Sequence, residues 1–137
     1  MTAPKTPHTD ELVRLALEVQ ARAYAPYSKF HVGSAVRAAD GRIFTGANVE
    51  NASYGLCVCA ERSAIVAAIS AGARELVEIA VATSTSPPVA PCGLCRQMLA
   101  EFASDLPITL ANDKGERLST TLRELLPHAF TPDDLRR

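Results

Sequence analysis

The sequence contains no tryptophan, and aromatic residues make up only 5% of its 137 positions. Proteins that bind single-stranded nucleic acid without sequence preference use aromatic side chains as stacking platforms. An excess of charge is also lacking, because 14 lysines and arginines face 15 aspartates and glutamates, for a net charge of −1. Polynucleotide binding normally requires a basic surface. We therefore expect no nucleic-acid partner.

Long apolar runs are missing too. No stretch is long enough to cross a bilayer, and the first residues lack the apolar segment of a signal peptide. We therefore expect a cytoplasmic protein with no membrane partner. In that reducing compartment, the 4 cysteines indicate metal binding or catalysis rather than disulfides. A disulfide from Cys92 to Cys59 or to Cys95 remains the alternative.

Apolar residues are plentiful, at 47% of the sequence. A chain of 137 residues with this composition is expected to form a single domain over residues 1–137. A domain of that size buries roughly two thirds of the surface that its unfolded chain exposes. We therefore expect a substantial hydrophobic core.

Helical and strand periodicities alternate along the chain. We predict a first helix that Thr9 caps and Pro26 ends, then strands over 30–38 and 42–49 joined by a hairpin at Asp40-Gly41. Further helices are predicted over 61–71, after Pro91 and at the capping box that Thr121 opens, and further strands over 76–82, 107–111 and 117–119. Strands alternating with helices predict an α/β layered domain.

The helix over 61–71 is apolar on nearly every side. Such a helix needs burial all round. In a chain of this size we expect part of the cover to come from another subunit. The alternative is the central helix of a monomer.

Two short segments offer three cysteines to one metal ion. Glu61 follows Cys59 by two positions, and Cys92 forms a C-x-x-C pair with Cys95. Zinc prefers four tetrahedral ligands, and a catalytic zinc site leaves the fourth position to water. Three thiolates with a carboxylate nearby therefore predict an open zinc site. Glu61, which is not a ligand, is then free to move the protons of that water.

The surroundings of the cysteines raise two further points. Cys57 could supply a sulfur in place of Cys59, or could close a structural zinc module as a fourth ligand, although Cys57-x-Cys59 is tighter than ordinary finger spacing. Otherwise Cys57 is expected to be a buried free thiol. Three thiolates and Zn²⁺ sum to a negative charge, and Arg62 is the obvious compensating cation. A surface salt bridge is the alternative for Arg62.

The segments Cys59-Ala60-Glu61-Arg62 and Pro91-Cys92-Gly93-Leu94-Cys95-Arg96-Gln97 resemble the signature of the homotetrameric zinc-dependent cytidine deaminases. The likeness extends through residues 26–33, 46–54 and 125–130, and so covers nearly the whole chain. The resemblance implies a three-layer α/β/α fold with a mixed sheet of about five strands. It also implies one Zn²⁺ per subunit, held by Cys59, Cys92 and Cys95.

The activity that the resemblance implies is the hydrolytic deamination of cytidine and 2′-deoxycytidine to uridine and 2′-deoxyuridine plus ammonia, in pyrimidine salvage. Zinc-activated water attacks C4 of the base, and Glu61 shuttles the protons. The matching arginine, Arg62, donates hydrogen bonds to the thiolates. Within the enzyme class, the rival is a deaminase of another aminopyrimidine such as blasticidin S.

A polar pair is a candidate for sugar binding. Asn48 and Glu50 lie two apart at a strand end, so both side chains leave by the same face. From the residues alone, the pair either grips sugar hydroxyls or begins a solvated loop. The resemblance assigns Asn48 and Glu50 to the ribose, chiefly its 3′-hydroxyl, Phe30 to the base pocket and the backbone of Ala60 to the base edge.

The resemblance also implies active sites shared between the subunits of a homotetramer. Phe130 would reach into a neighbouring subunit's pocket and stack on the base, with packing of the chain's tail as the alternative. Tyr54 would serve the neighbour's substrate near its 5′-hydroxyl. The expected partner is thus a small nucleoside.

Overall fold

The computed structural model describes residues 7–136, without the side chain of Pro7. Residues 1–6, where we expect no signal peptide, and residue 137, at the end of the predicted domain, lie outside the described residues. The helices are α1 (Pro7–Gln20), α2 (Ala60–Ser70), α3 (Gly93–Phe102), α4 (Leu122–Leu125) and α5 (Pro132–Arg136). The strands are β1 (Gly33–Ala38), β2 (Ile43–Ala47), β3 (Leu76–Thr83), β4 (Pro107–Asn112) and β5 (Arg117–Thr121). A short 3-10 helix covers Tyr54–Leu56.

The strands form one five-stranded sheet in the order β2-β1-β3-β4-β5. β3 and β4 run parallel, whereas the other neighbours are antiparallel. The β1–β2 hairpin turns at the predicted place, where Gly41 has a φ of 93° that favours glycine. The mixed five-stranded sheet implied by the family resemblance is thus confirmed. Its parallel pair brings the carboxyl ends of β3 and β4 to the same edge.

Helices cover both faces of the sheet. Along β1, successive side chains point to opposite faces. Ala35 belongs to the core cluster that contains Leu12 of α1, and Val36 belongs to the cluster that contains Ile65 of α2 and Leu99 of α3. The three layers α/β/α are therefore confirmed, with α2 and α3 sharing one face.

Helix α2 lies unusually close to the sheet. A Cβ placed on Gly46 of β2 would come within 2.4 Å of the Ala64 nitrogen and 2.6 Å of the Ser63 Cβ. No side chain fits at this distance, so a glycine is required where the helix crosses the strand. This close contact fixes the first turn of α2, which carries Glu61.

The bounds of α1 differ from those predicted. The helix begins at Pro7, so Thr9 lies inside it and donates its hydroxyl to Glu78 of β3 instead of capping. The helix ends at Gln20, well before Pro26. Residue Tyr24 pairs instead with the segment after β2, through backbone hydrogen bonds with residues 48 and 50 of 2.9 and 2.8 Å. The prediction was wrong because this pairing spans a long stretch of sequence.

The other predicted elements are confirmed within a few residues. The Thr121 hydroxyl accepts the backbone N–H of Glu124 at 3.3 Å, as a capping box requires. Helix α5 was not predicted. Val66 of α2 is 51% exposed, so one copy of the chain does not bury this helix on every side. None of the helices within residues 7–136 is long and apolar enough to span a membrane.

Candidate metal centre and substrate pocket

The starts of two helices bring the three cysteines together. Cys59 is the N-cap of α2, Cys92 is the N-cap of α3, and Cys95 is a buried residue in the first turn of α3. Neither N-cap sulfur makes a capping hydrogen bond with the backbone of its helix, so both sulfurs are available to a ligand. Unpaired amide groups and the positive end of the helix dipole favour a thiolate at these positions.

The spacing of the sulfurs suits zinc. All three Sγ atoms lie within 4.8 Å of one another, with 4.0 Å from Cys59 to Cys92 and 3.6 Å from Cys92 to Cys95. Zinc–sulfur bonds of about 2.3 Å in a tetrahedron place two sulfurs about 3.8 Å apart. The donor set therefore fits Zn²⁺, and these three residues would hold it. No cysteine within residues 7–136 forms a disulfide, which contradicts the alternative pairings.

The cysteines share charge unequally. A hydrogen bond with Cys95, followed by effects of Cys92 and Arg62, lowers the pKa of the Cys59 thiol to about 5. The same hydrogen bond, together with burial, raises the pKa of the Cys95 thiol. The shared hydrogen bond therefore favours a thiolate within the cluster, and a thiolate is the form of cysteine that binds a metal.

Glu61 lies in the first turn of α2 and is only 5% exposed. Its carboxyl does not belong to the sulfur cluster, and it lines a cavity instead of facing bulk solvent. Burial raises the pKa of this carboxyl above its ordinary value, and the charge of Cys59 acts in the same direction. A carboxyl in this state is suited to accepting and returning protons.

A cavity of about 190 Å³ opens beside the sulfurs. Its lining residues are Phe30, Val32, Asn48, Cys59, Ala60, Glu61, Val81, Thr83, Val89, Ala90 and Cys92. The structure therefore brings the predicted Phe30, Asn48 and Ala60 to the same space as Glu61. The cavity is smaller than the roughly 300–1,000 Å³ of drug-sized pockets, which suits a single ring.

Asn48 has a role that the sequence did not indicate. Its amide nitrogen donates to the Phe30 carbonyl, and its amide oxygen accepts the Val32 N–H, each at 2.8 Å. Both bonds go to the segment that forms one wall of the cavity. The side chain is therefore held in a fixed orientation, while its second N–H and second lone pair stay available to a substrate.

Glu50 and Tyr54 do not line this cavity. They border a neighbouring depression of about 280 Å³ together with Tyr27, Ser28 and Cys57. The Glu50 carboxylate accepts the hydroxyl of Ser28 and the N–H groups of Tyr27 and Ser28, at 3.0 and 3.1 Å for the latter two. The bond with the Ser28 hydroxyl is the main cause that lowers the pKa of Glu50, which is therefore ionised.

Arg62 and Cys57 are linked to each other. The Arg62 guanidinium donates to the Cys57 carbonyl at 2.9 Å, and it also helps to lower the pKa of Cys59. Its buried Nε has no hydrogen-bond partner within the part of the chain that the structure describes. Cys57 is half-buried, not buried as predicted, and its sulfur bonds with the backbone of Asn51. Cys57 is thus not part of the metal cluster.

Two predicted residues project outward. Tyr54 is 75% exposed, and its ring meets the ring of Tyr27 edge-on at 6.2 Å. Phe130 is 58% exposed and does not reach the cavity of its own chain; its carbonyl accepts a hydrogen bond from Gln97. Neither side chain is used in packing the core.

Sequence reasoning missed one wall of the cavity. Thr83 is buried at the carboxyl end of β3, and Val89 and Ala90 follow in the loop that leads to Cys92. The available signal was a polar residue at the end of a strand whose four preceding residues, 79–82, are all apolar. Such a residue at the carboxyl end of a strand lies where open α/β sheets bind ligands.

Comparisons with known proteins agree with this geometry. Residues 7–109 match the family model of the cytidine and deoxycytidylate deaminase zinc-binding region. The chain is 48% identical over 125 residues to a cytidine deaminase of Halalkalibacterium halodurans, covering 90% of this chain and 95% of that protein. For a cytidine deaminase of Sporosarcina psychrophila the identity is 45% over 127 residues, covering 92% and 93%. The crystal structure of a cytidine deaminase from Burkholderia pseudomallei superposes with a TM-score of 0.85 at 46% identity, covering 92% of this chain and 100% of that one.

Proposed function

The chain belongs to the cytidine and deoxycytidylate deaminase family, and from this premise we propose that it deaminates cytidine and 2′-deoxycytidine to uridine and 2′-deoxyuridine, releasing ammonia. The observation that carries the proposal is a three-sulfur metal cluster beside a buried glutamate in one small cavity. A metal for hydrolysis and an acid for proton transfer are the parts that this reaction needs.

The chain's own residues divide the chemistry between them. Zinc, when bound by Cys59, Cys92 and Cys95, makes water acidic and nucleophilic near neutral pH. Among the described residues that line the cavity, Glu61 is the one that carries a carboxyl group. It takes one proton from the water and gives it to N3 of the base, while the water oxygen forms a bond to C4. It then moves the second proton of that oxygen to the amino group, so that the C4–N bond breaks, ammonia leaves and C4 keeps the oxygen as a carbonyl.

Substrate recognition involves both depressions. Phe30 and the backbone of Ala60 border the cavity and contact the base, and Asn48 offers its remaining amide N–H to the ribose. The Glu50 carboxylate accepts the 3′-hydroxyl, because a carboxylate has lone pairs beyond those that Ser28 and Tyr27 occupy. Arg62 places positive charge against the thiolates and so offsets their excess of negative charge.

The ionised Glu50 leads to a substrate test. Cytidine 3′-monophosphate should be deaminated at least about tenfold more slowly than cytidine, in kcat/KM, because its phosphate meets the like charge of the Glu50 carboxylate. Ammonia release measures both rates. Blasticidin S, included as a third substrate, should give no measurable product.

The matched control for this test is Glu50→Gln. It should lower kcat/KM for cytidine, but it should also bring the kcat/KM values for cytidine and its 3′-monophosphate closer together. The reason is that glutamine carries no negative charge to repel the phosphate. Comparable rates on cytidine and its 3′-monophosphate with the unaltered protein would contradict the role of Glu50. Turnover of blasticidin S in place of cytidine would overturn the proposed substrate.

We also propose a homotetramer of single-domain chains that share active sites, acting in cytoplasmic pyrimidine salvage. Apolar residues near and beyond the site are exposed in one copy of the chain: Val66 on α2, Leu56, Tyr54 and Phe130. Apolar side chains exposed in one copy are available to pack against another copy of the chain. Thiolate ligands are also stable in the reducing cytoplasm.

Phe130→Ala tests the shared site. Base–aromatic stacking is worth about 1–3 kcal/mol, so we expect KM for cytidine to rise about tenfold, with zinc content and the mass of four chains unchanged. Sedimentation measures the mass, and initial rates give KM. Leu135→Ala, at another exposed apolar residue of the tail, is the control and should leave KM unchanged. An unchanged KM in Phe130→Ala would leave this residue without a role in the pocket.

A further inference from the structure

Asn112 ends β4 and is buried, with 2% of its surface exposed. Its amide oxygen accepts the N–H groups of Lys114 and Glu116 at 3.0 and 2.9 Å. Its amide nitrogen donates to the Glu116 carboxylate at 2.9 Å and to the Thr85 carbonyl at 2.8 Å. The full hydrogen-bonding capacity of the amide is therefore used. The hydrogen bond to Thr85 joins the β4–β5 turn to the segment that follows β3.

Other side chains of the same turn hold that segment. The Lys114 ammonium donates to the Ser84 carbonyl at 2.8 Å, and the Ser84 hydroxyl donates to Asp113 at 3.2 Å. The Ser86 hydroxyl donates to the Glu116 carboxylate. Each of residues 84–86 is thus bound to the turn between β4 and β5, which lies outside the cavity.

The segment held in this way continues into the metal centre. Thr83, which is paired in register with Asn112, lines the cavity directly before residues 84–86. After them the chain passes through a stretch with three prolines over 87–91 to reach Cys92. Each proline fixes its own φ, so this stretch has few ways to absorb a displacement. A shift of residues 84–86 would therefore also displace Cys92.

The same segment is tied to the opposite wall of the cavity. The Gln20 amide nitrogen, at the end of α1, donates to the Ser84 hydroxyl at 3.1 Å and to the His31 carbonyl at 3.0 Å. His31 lies between Phe30 and Val32, which both line the cavity. The buried Gln20 side chain thus connects residues 84–86 to the wall of the cavity that Phe30 and Val32 form.

We propose that Asn112 is a positioning residue of the metal centre: through Thr85 it fixes residues 83–86 and so sets where Cys92 stands relative to Cys59. The inference rests on the proposed function in taking the sulfurs to be zinc ligands. Asn112 itself borders neither the cavity nor the sulfurs. It acts on the ligands through the backbone, one step further out than the groups that hydrogen-bond a ligand and whose loss weakens metal binding about 10–100-fold, so we expect an effect at the lower end of that range.

Asn112→Asp in the full-length, zinc-loaded protein tests the proposal. Aspartate has nearly the same volume, but it loses the N–H that Thr85 accepts and places a second carboxylate beside Glu116. We expect the zinc Kd, measured by competition with a chelator, to weaken at least about tenfold, and KM for cytidine to rise. A residue that only stabilises the turn would lower Tm and leave both Kd and KM at their original values.

Asp105 at the other end of β4 provides the matched control. Its carboxylate accepts the N–H groups of Leu106 and Arg123, each at 3.1 Å, and so joins the segment before β4 to α4 without bordering the cavity or the sulfurs. Asp105→Asn should lower Tm without changing the zinc Kd. Equal weakening of zinc binding in Asp105→Asn and Asn112→Asp would show a general loss of stability and overturn the proposal.

Ser86→Ala is a milder variant that removes only the hydroxyl bonded to Glu116. It should weaken zinc binding a few-fold, and it decides the question alone if Asn112→Asp does not fold. If the unaltered protein binds no zinc and releases no ammonia, the proposed function fails. If the unaltered protein does both, and the Asn112 and Ser86 variants retain its zinc Kd and KM, this inference fails and the function stands.

Discussion

Glu61→Gln is expected to leave zinc bound while ammonia release from cytidine falls by about 10²–10⁴-fold, the usual contribution of a positioned acid–base group. Glutamine has the same shape and can still form hydrogen bonds, but it cannot carry a proton. Glu61 is not a member of the sulfur cluster, so its replacement removes no metal ligand. Zinc content and product should be measured on the same sample.

The size of this effect depends on the surroundings of Glu61. Its carboxyl is buried in the cavity wall, so bulk water has little access to replace it as a proton carrier. Burial also raises the pKa of the carboxyl, and a general acid–base group works best when its pKa approaches the working pH. Among the described residues, the rest of the lining is neutral apart from the cysteines.

Glu101→Gln is the matched control. Glu101 is an exposed glutamate on α3, the helix that carries Cys95, and the same substitution there should change neither zinc content nor rate. Rapid ammonia release by Glu61→Gln would show that the Glu61 carboxyl does not transfer the protons and would contradict the proposed mechanism. Loss of zinc from Glu61→Gln would instead assign the carboxylate to the metal and contradict the open site.

Features of the fold that depend on local periodicity were predictable. Patterns a few residues long were enough to predict β3, β4 and the start of α2. The same holds for the capping box that Thr121 opens. The cysteine cluster was predictable for a related reason. Cys92 and Cys95 lie at the start of α3, and Cys59 lies at the start of α2. The short sequence motifs that contain the cysteines therefore also contain the helix starts that hold them.

Features that depend on contacts between distant segments were not predictable. α1 ends early because Tyr24 pairs with residues 48–50. The resemblance implied that Glu50 binds the ribose, which stays a prediction, whereas the structure shows its carboxylate accepting the N–H of Ser28 in the loop after α1. The bond from Asn112 to Thr85 has no sequence signature at all, because an asparagine before a turn is equally compatible with a solvated loop.

The second large effect concerns Cys59, which we propose as a metal ligand. Cys59→Ser should remove most of the zinc and with it nearly all ammonia release. Apparent binding energies of about 10–16 kcal/mol for four-ligand zinc sites correspond to roughly 2.5–4 kcal/mol per ligand, or about 10²–10³ in Kd. Serine keeps the N-cap position filled but offers a hydroxyl that does not ionise near neutral pH. Metal analysis after dialysis against a weak chelator measures the loss.

Cys57→Ser is the control that makes this result specific. The two cysteines are separated by one residue and receive the same substitution, but only the sulfur of Cys59 lies in the cluster. The Cys57 sulfur bonds with the Asn51 backbone, and a hydroxyl can replace it there. Cys57→Ser should therefore keep both zinc and activity. Loss of zinc from this variant would mean that a fourth sulfur closes the site, leaving no coordination position for water and no route to hydrolysis.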